Sequence, residues 1–302
     1  MIVQLAMLGT MLLWGISFVV SKVILDQISP LTYMGVRFLI ASILLAIIMV
    51  LRGRPRFPRK VHGLIALTAL AEPVAYFLFE SYGLRLTTAT TASLIISTIP
   101  MAVMVMAALT LGEPIAPRGI VAVFLSVGGV MLLVFGADAG TASTAATGPA
   151  QHGLGVLLLF GAVISAAMYI TLARNLTQKH DPVNLTVVQT WWGAGVFVIL
   201  WQVQAPAARA VTLTPPGWIA IAFLAAGATV TAFLLYNWAL RYETAGRASL
   251  YINAIPVVTA ITGRIFLDER FTAMQIAGAV LVLVAVRFAS YRREIVLVPP
   301  EA

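Results

Sequence analysis

Apolar runs of 18 or more residues, separated by short stretches carrying charge, Pro or Gly, follow one another along almost the whole chain. Each is long enough, at about 1.5 Å per helical residue, to cross a hydrocarbon core about 30 Å thick. Read between their punctuation, they predict helices over 3–25, 31–51, 62–84, 88–111 and 118–136, and a second set over 153–174, 183–204, 216–240, 246–267 and 271–290. Between the sets, 137–151 is rich in Ala, Gly and Thr and lacks helical periodicity, so it reads as a linker. The expected architecture is an all-α polytopic membrane protein of ten transmembrane helices. One five-helix unit occupies 1–137, a linker 138–152, a second five-helix unit 153–291, and a short tail 292–302.

The two sets are related in sequence. Segment 82–100, YGLRLTTATTASLIISTIP, aligns without gaps with segment 238–256, WALRYETAGRASLYINAIP, at an offset of 156, and 10 of 19 positions are identical. The same offset carries Val74, Phe77 and Leu78 onto Val230, Phe233 and Leu234, and Leu111 and Glu113 onto Leu267 and Glu269. Each unit has an odd number of predicted helices, so the second enters the membrane in the opposite orientation to the first. Inverted repeats of this kind recur in secondary transporters, whose halves exchange roles in opening a midplane site to one side and then the other.

Composition narrows the class. Hydrophobic residues make up 61% of the 302 positions and charged ones only 10%, against roughly a quarter charged in a soluble domain. The formal net charge of +8 resides mainly in loops, so it reads as a topology signal and not as a nucleic-acid surface. The loop with Arg52, Arg54, Arg56, Arg59 and Lys60 fixes the cytoplasmic side. Thirteen Lys and Arg then lie inside and four outside (Lys22, Arg85, Arg209, Arg270), with both termini cytoplasmic. The first apolar run starts at Met1 without a basic leader or cleavage site, so a retained first helix is expected. The lack of a transit peptide and of long tails fits a bacterial inner membrane. There is no cysteine. No P-loop, H-E-x-x-H or Asp-rich cluster occurs, and His62, His152 and His180 belong to no metal pattern, so neither cofactor nor metal is expected and an intramembrane enzyme is disfavoured. A channel filter segment is likewise unrecognisable.

Against this background the intramembrane polar residues stand out, because ionisable groups at membrane depth usually face a bundle interior or wet cavity and mark solute or proton pathways. Glu72, followed by the helix-kinking Pro73, lies near mid-helix, and Tyr76 and Glu80 follow at i+4 and i+8 on the same face. Arg37 lies about 9 Å below the outer surface, a depth that suits Glu80; a structural ion pair and an anchor for a solute carboxylate both remain open. Ser93, Ser97 and Pro100 share a face, and Ser249, Asn253 and Pro256 repeat it. The hydroxyls and amide either satisfy carbonyls freed by proline or line a cavity. Trp14, Ser17 and Ser21 form another face, as do Thr229, Phe233 and Asn237, while Trp191, Trp192 and Trp238 carry little weight. Lys22 and Arg264 lie near helix ends and are expected to snorkel. Glu113 and Glu269 each precede a helix and are expected to cap it, with gate contacts as the lesser role. Small residues in 118–136 and 271–290 suit close packing or dimer contacts away from any cavity, with a simple lipid-facing role equally open, leaving monomer and homodimer open.

The two five-helix units, Trp14-Gly15-x-Ser17 in the first helix, and the paired runs Ser93 to Pro100 to Glu113 and Ser249 to Pro256 to Glu269 resemble the drug/metabolite transporter superfamily, above all its EamA-type branch. The resemblance covers essentially the whole chain. It implies ten helices, cytoplasmic termini, a central cavity and export of amino acids, other metabolites or drugs. The second unit departs at its first helix, which reads Ile164, Ser165, Ala166, Ala167, so no role is carried there from the Trp-Gly-x-Ser motif. The function expected is a secondary carrier for a small metabolite such as an amino acid, gradient-driven or coupled to protons through Glu72, with a drug or lipid-like solute as the alternative.

Overall fold

The computed structural model describes residues 1–53, 57–111, 121, 124–125, 127–129, 131–132, 142–243, 245–269 and 272–290. Among these, regular structure is entirely helical, and eight helices are long and apolar enough to cross a membrane. They are α1 (Ile2–Leu25), α2 (Pro30–Arg52), α3 (Arg59–Arg85), α4 (Ala89–Ile96 continuing as Ile99–Leu111), α5 (Ala142–Lys179), α6 (Pro182–Gln202), α7 (Pro215–Leu240) and α8 (Ala245–Phe266). A further helix, α9 (Ala273–Ser290), carries a shorter apolar run. Of the fifth predicted helix, 118–136, only 121, 124–125, 127–129 and 131–132 are described, and Glu113 before it lies outside the described residues.

Local chemistry sets the helix starts. Ser29 before Pro30, Asp181 before Pro182 and Thr214 before Pro215 each accept a first-turn amide with the side chain, while proline supplies a preset φ where no amide partner is needed. Helix α5 begins at Ala142, earlier than predicted, so part of the expected linker is helical; Ala145, Ala146 and Ala150 are strong helix formers. Leu5, Leu8 and Leu12 of α1 and Ile43, Ile47 and Leu51 of α2 are exposed, a surface suited to lipid and not to water. The chain is a multi-pass membrane protein.

The two units interlock. Helix α2 packs along α6, the second part of α3 along α5, and α1 against α7 and α8. Gly15 permits the last contact: a Cβ there would lie 2.5 Å from Cβ of Val258, and Thr259 donates a hydrogen bond to the Gly15 carbonyl at 2.9 Å. Gly193 of α6 similarly admits Pro73, whose Cγ would be 2.4 Å from an added Cβ. Gly129 packs against Gly278 and Val282 of α9, so small residues in these outer segments serve packing within the chain.

Helices α3, α4, α7 and α8 are each interrupted, and the interruptions match. A wide, π-type turn occupies Leu70–Ala75 in α3 and another Leu224–Thr231 in α7. In α4 the helix breaks at Ser97 and Thr98, and in α8 it tightens to a 3₁₀ turn at Ile252–Ala254. The following segments start at Ile99 and Ile255, separated by the 156 positions of the sequence repeat. Glu72 is the non-helical residue of the first interruption (φ −149°, ψ 122°), as expected for a residue whose α conformation is blocked by the proline after it.

At one end of the bundle, the turn between α3 and α4 is gripped from both sides. Lys22 Nζ donates to the carbonyls of Leu84, Arg85 and Thr87 at 3.0, 3.2 and 2.8 Å. Glu269 accepts from the amides of Ala89 and Thr90 at 2.9 and 3.2 Å. Lys22 therefore caps a helix instead of snorkelling, because three carbonyls at the end of α3 and in the turn after it lie within reach. Glu269 caps α4 of the other unit, not the helix that follows it in sequence. Arg264 pairs with Asp268 on the surface. At the opposite end the two units meet through an exposed ion pair, Arg52 to Asp181, at 3.6 Å.

Candidate functional site

Helices of both units line a cavity of about 40 Å³ at their junction, with Glu72, Ile96, Ile99, Ile252 and Ile255 at or beside the breaks of α3, α4 and α8. Its polar lining is Trp14 and Ser17 from α1, Arg37 from α2, Glu72, Tyr76 and Glu80 from α3, and Tyr236 from α7; Phe18, Phe77, Ala166 and Ile170 add apolar walls. Two isoleucine pairs related by the repeat, Ile96 with Ile252 and Ile99 with Ile255, close the side formed by α4 and α8.

The charged groups are deeply buried: Arg37 is 1% exposed, Glu80 4% and Glu72 6%. Arg37 makes no ion pair within 4.0 Å among the described residues. The structural ion pair with Glu80 considered from depth is absent. Arg37 Nε instead donates to Thr229 Oγ1 at 2.8 Å and Nη1 to the Tyr33 hydroxyl, which is itself 2.7 Å from Ser21 Oγ. The guanidinium carbon lies 4.6 Å from the Phe77 ring centroid, a cation–π arrangement that offsets part of its desolvation. Thr229 in turn donates to the Leu224 carbonyl, five residues back in the π-type turn, at 2.9 Å. Glu80 accepts from Ser81 at 3.4 Å, and Glu72 has no hydrogen bond to a described residue. The buried Tyr236 hydroxyl also lacks a partner.

The opened turn of α7 positions the tryptophan of the first helix. Trp14 Nε1 donates to the Ala228 carbonyl at 3.1 Å, and its ring packs 5.4 Å from Phe233 and 5.1 Å from Tyr236. Ser17 donates back to the Trp14 carbonyl at 2.7 Å. The Trp-Gly-x-Ser pattern therefore unites a cavity wall, a close helix contact and a local backbone bond.

A smaller chamber, about 10 Å³, is lined by Phe38, Glu72, Pro73, Thr186, Gln189, Thr190, Thr229 and Phe233. Glu72 borders both spaces.

Other sequence-chosen residues lie elsewhere. Ser93 and Ser97 are fully buried and donate to the carbonyls of Thr90 and Leu94 at 2.9 and 2.6 Å. Asn237 joins Tyr169 to Thr186, accepting at 2.8 Å from the former and donating at 3.0 Å to the latter. Asn253 does not line the cavity, and its buried Oδ1 has no partner. Pro100 and Pro256 sit in the first turns of the helical segments beyond the breaks, where a missing amide costs nothing. Trp191, Trp192 and Trp238 are outside the cavity lining. What sequence reading passed over are the four cavity isoleucines and Tyr236. Each isoleucine is identical across the repeat, which is the signal that could have marked them.

Comparison with known proteins agrees with this architecture. Residues 1–135 and 153–291 each match the model of the EamA-like transporter family. An uncharacterized transporter of Archaeoglobus fulgidus is 28% identical over 94% of this chain and 97% of its own. The uncharacterized transporter YcxC of Bacillus subtilis is 30% identical, covering 90% and 87%. A probable amino-acid metabolite efflux pump of Escherichia coli is 27% identical, covering 89% and 88%. A solved crystal structure with 16% identity has the same fold, with a TM-score of 0.69 over 95% of this chain and 96% of that one. With two matched segments spanning most of its length, the chain belongs to the EamA-like transporter family.

Proposed function

We propose that the protein is a secondary carrier that exports small metabolites, with amino acids the favoured class, by alternating access of the central cavity. The observation that carries this reading is the burial of Glu72, Glu80 and Arg37 around one cavity to which both units contribute. A zwitterion presents an ammonium group that the carboxylates can accept and a carboxylate that Arg37 attracts, so its charges are compensated where water is excluded. The likeness to an amino-acid metabolite efflux pump points the same way. Transport follows the solute gradient or is coupled to protons exchanged at Glu72.

The reading takes the chain as ten spans in two inverted five-helix halves with both termini in the cytoplasm of the bacterial inner membrane. The matched helix interruptions support it, since related halves that open in turn need related hinges. It rests on no cofactor, metal or chemical step.

Counterflow of labelled amino acids and related metabolites into proteoliposomes tests the function without assuming an energy source. Saturable accumulation of one class is the expected result. A flat response across the panel from folded protein would sink the metabolite reading and favour drug or lipid-like solutes.

A further inference from the structure

Glu72 borders two spaces. The main cavity holds the other charged groups, Arg37 and Glu80, among aromatic and aliphatic walls, whereas the smaller chamber sets the neutral polar side chains Thr186, Gln189, Thr190 and Thr229 against Phe38, Pro73 and Phe233. With a volume of about 10 Å³ the chamber has room for one water molecule, and a water is held where two to four polar partners surround it. Those partners are present. The Thr190 hydroxyl, Gln189 Oε1 and the Glu72 carboxylate have no hydrogen bonds to described residues, although Thr190 is 5% and Gln189 4% exposed. Gln189 is oriented by its other end, since Nε2 donates to Thr68 Oγ1 at 3.0 Å.

The chamber lies towards one end of the bundle. Its α6 residues lie four to eight positions beyond Pro182, about 6 to 12 Å along the axis from the end where Arg52 meets Asp181. Glu72 lines the main cavity as well. The titratable groups around Glu72 are Glu80 and Tyr76 on α3, Arg37 on α2, Tyr169 on α5 and Tyr236 on α7. Helix α6 contributes only neutral side chains to the chamber. A neutral, hydroxyl-lined space suits a water beside Arg37 better than a second cation, which the guanidinium would repel.

We propose that the chamber formed by Thr186, Gln189, Thr190, Thr229 and Glu72 holds an ordered water through which Glu72 exchanges its proton with the Arg52–Asp181 end of the bundle, separately from the solute cavity. This deepens the carrier reading, on which it rests for its physiological role. A proton moves from the Glu72 carboxyl to the water as another passes from that water to bulk water at the bundle end, and the reverse sequence reprotonates the carboxylate, so no other reactant is needed.

The test uses full-length protein in nanodiscs and follows the carboxylic C=O infrared band of Glu72, assigned by its loss in Glu72→Gln, after a rapid pH jump. Thr190→Val and Gln189→Leu should slow its response by about a hundredfold or more, since positioned proton transfer contributes about 10²–10⁴-fold. Thr190→Ser, which keeps the hydroxyl, should retain the wild-type rate. An unchanged rate in Thr190→Val and Gln189→Leu overturns the proposal, as does equal slowing in Thr190→Ser and Thr190→Val, which would indicate packing. Thermal unfolding of each variant controls for folding; Gln189→Met replaces Gln189→Leu if that variant is unstable. The infrared readout needs no solute, so its failure leaves the carrier reading standing, while absent counterflow in the wild type removes the carrier reading alone.

Discussion

The Glu269 carboxylate accepts a hydrogen bond from the backbone amide of Ala89 at 2.9 Å, joining the end of one sequence repeat to the start of a helix in the other. It neutralises the positive end of α4, while Lys22 neutralises the negative end of α3 one turn earlier in the chain. The short connection between these helices is thus held by two opposite charges from opposite units.

Glu269→Gln should lower stability by about 1 kcal/mol, the usual worth of a helix cap, and Lys22→Met by about 1–3 kcal/mol, since it removes the charged donor to the partly buried Thr87 carbonyl. Thermal unfolding in detergent reads both. Unchanged midpoints in the two variants would show that neither contact holds the turn.

Glu72→Gln places a neutral amide where a proton could otherwise be taken up or released. Accumulation driven by a pH gradient should fall to the level without a gradient, while counterflow persists. Proteoliposomes with and without an imposed gradient make the comparison, and intact coupling in the variant would remove Glu72 from the mechanism.

Arg37→Lys keeps the charge but cannot donate from Nε to Thr229 while stacking on Phe77. A loss of about 1–3 kcal/mol in stability is expected from the unmatched buried groups. If unfolding is unaffected, the guanidinium geometry has no structural role.

Gly193→Ala forces a methyl to within 2.4 Å of Pro73 Cγ at the break beside Glu72. Overpacking of this kind costs about 1–3 kcal/mol, and the displaced break should reduce counterflow more than Gly195→Ala, where an added Cβ meets nothing within 4 Å. Equal transport by the two variants would argue against a tight α3–α6 contact.

The absence of cysteine gives a clean background for topology. Arg59→Cys should resist an impermeant maleimide in intact cells and Ala207→Cys should react; the reverse pattern would invert the assigned orientation.

Much of the bundle is legible in the sequence because lipid leaves few options: helix ends fall within a few residues of the apolar punctuation, as at Ser29–Pro30 and Asp181–Pro182. The kink at Glu72 follows from its proline. Trp14, Ser17, Arg37, Glu72, Tyr76 and Glu80, chosen as polar residues at membrane depth, all border one cavity. Periodicity, however, says which residues share a face and not which face turns inward. In α4 and α8 the isoleucines turn to the cavity while Ser93 and Ser97 bond their own backbone. The partner of Glu269 was equally unreadable, because Ala89 lies 180 positions away and offers only a main-chain amide. The π-type turn of α7 contains no proline to announce it.

The matched interruptions bear on thermodynamics as well as shape. Under the alternating access proposed above, units that bend at equivalent residues would build the outward-open and inward-open arrangements from nearly the same set of broken helices, which would keep their free energies close. A carrier with near-degenerate end states needs no large stored energy to turn over, and small external differences, a concentration ratio or a single proton, suffice to set its direction.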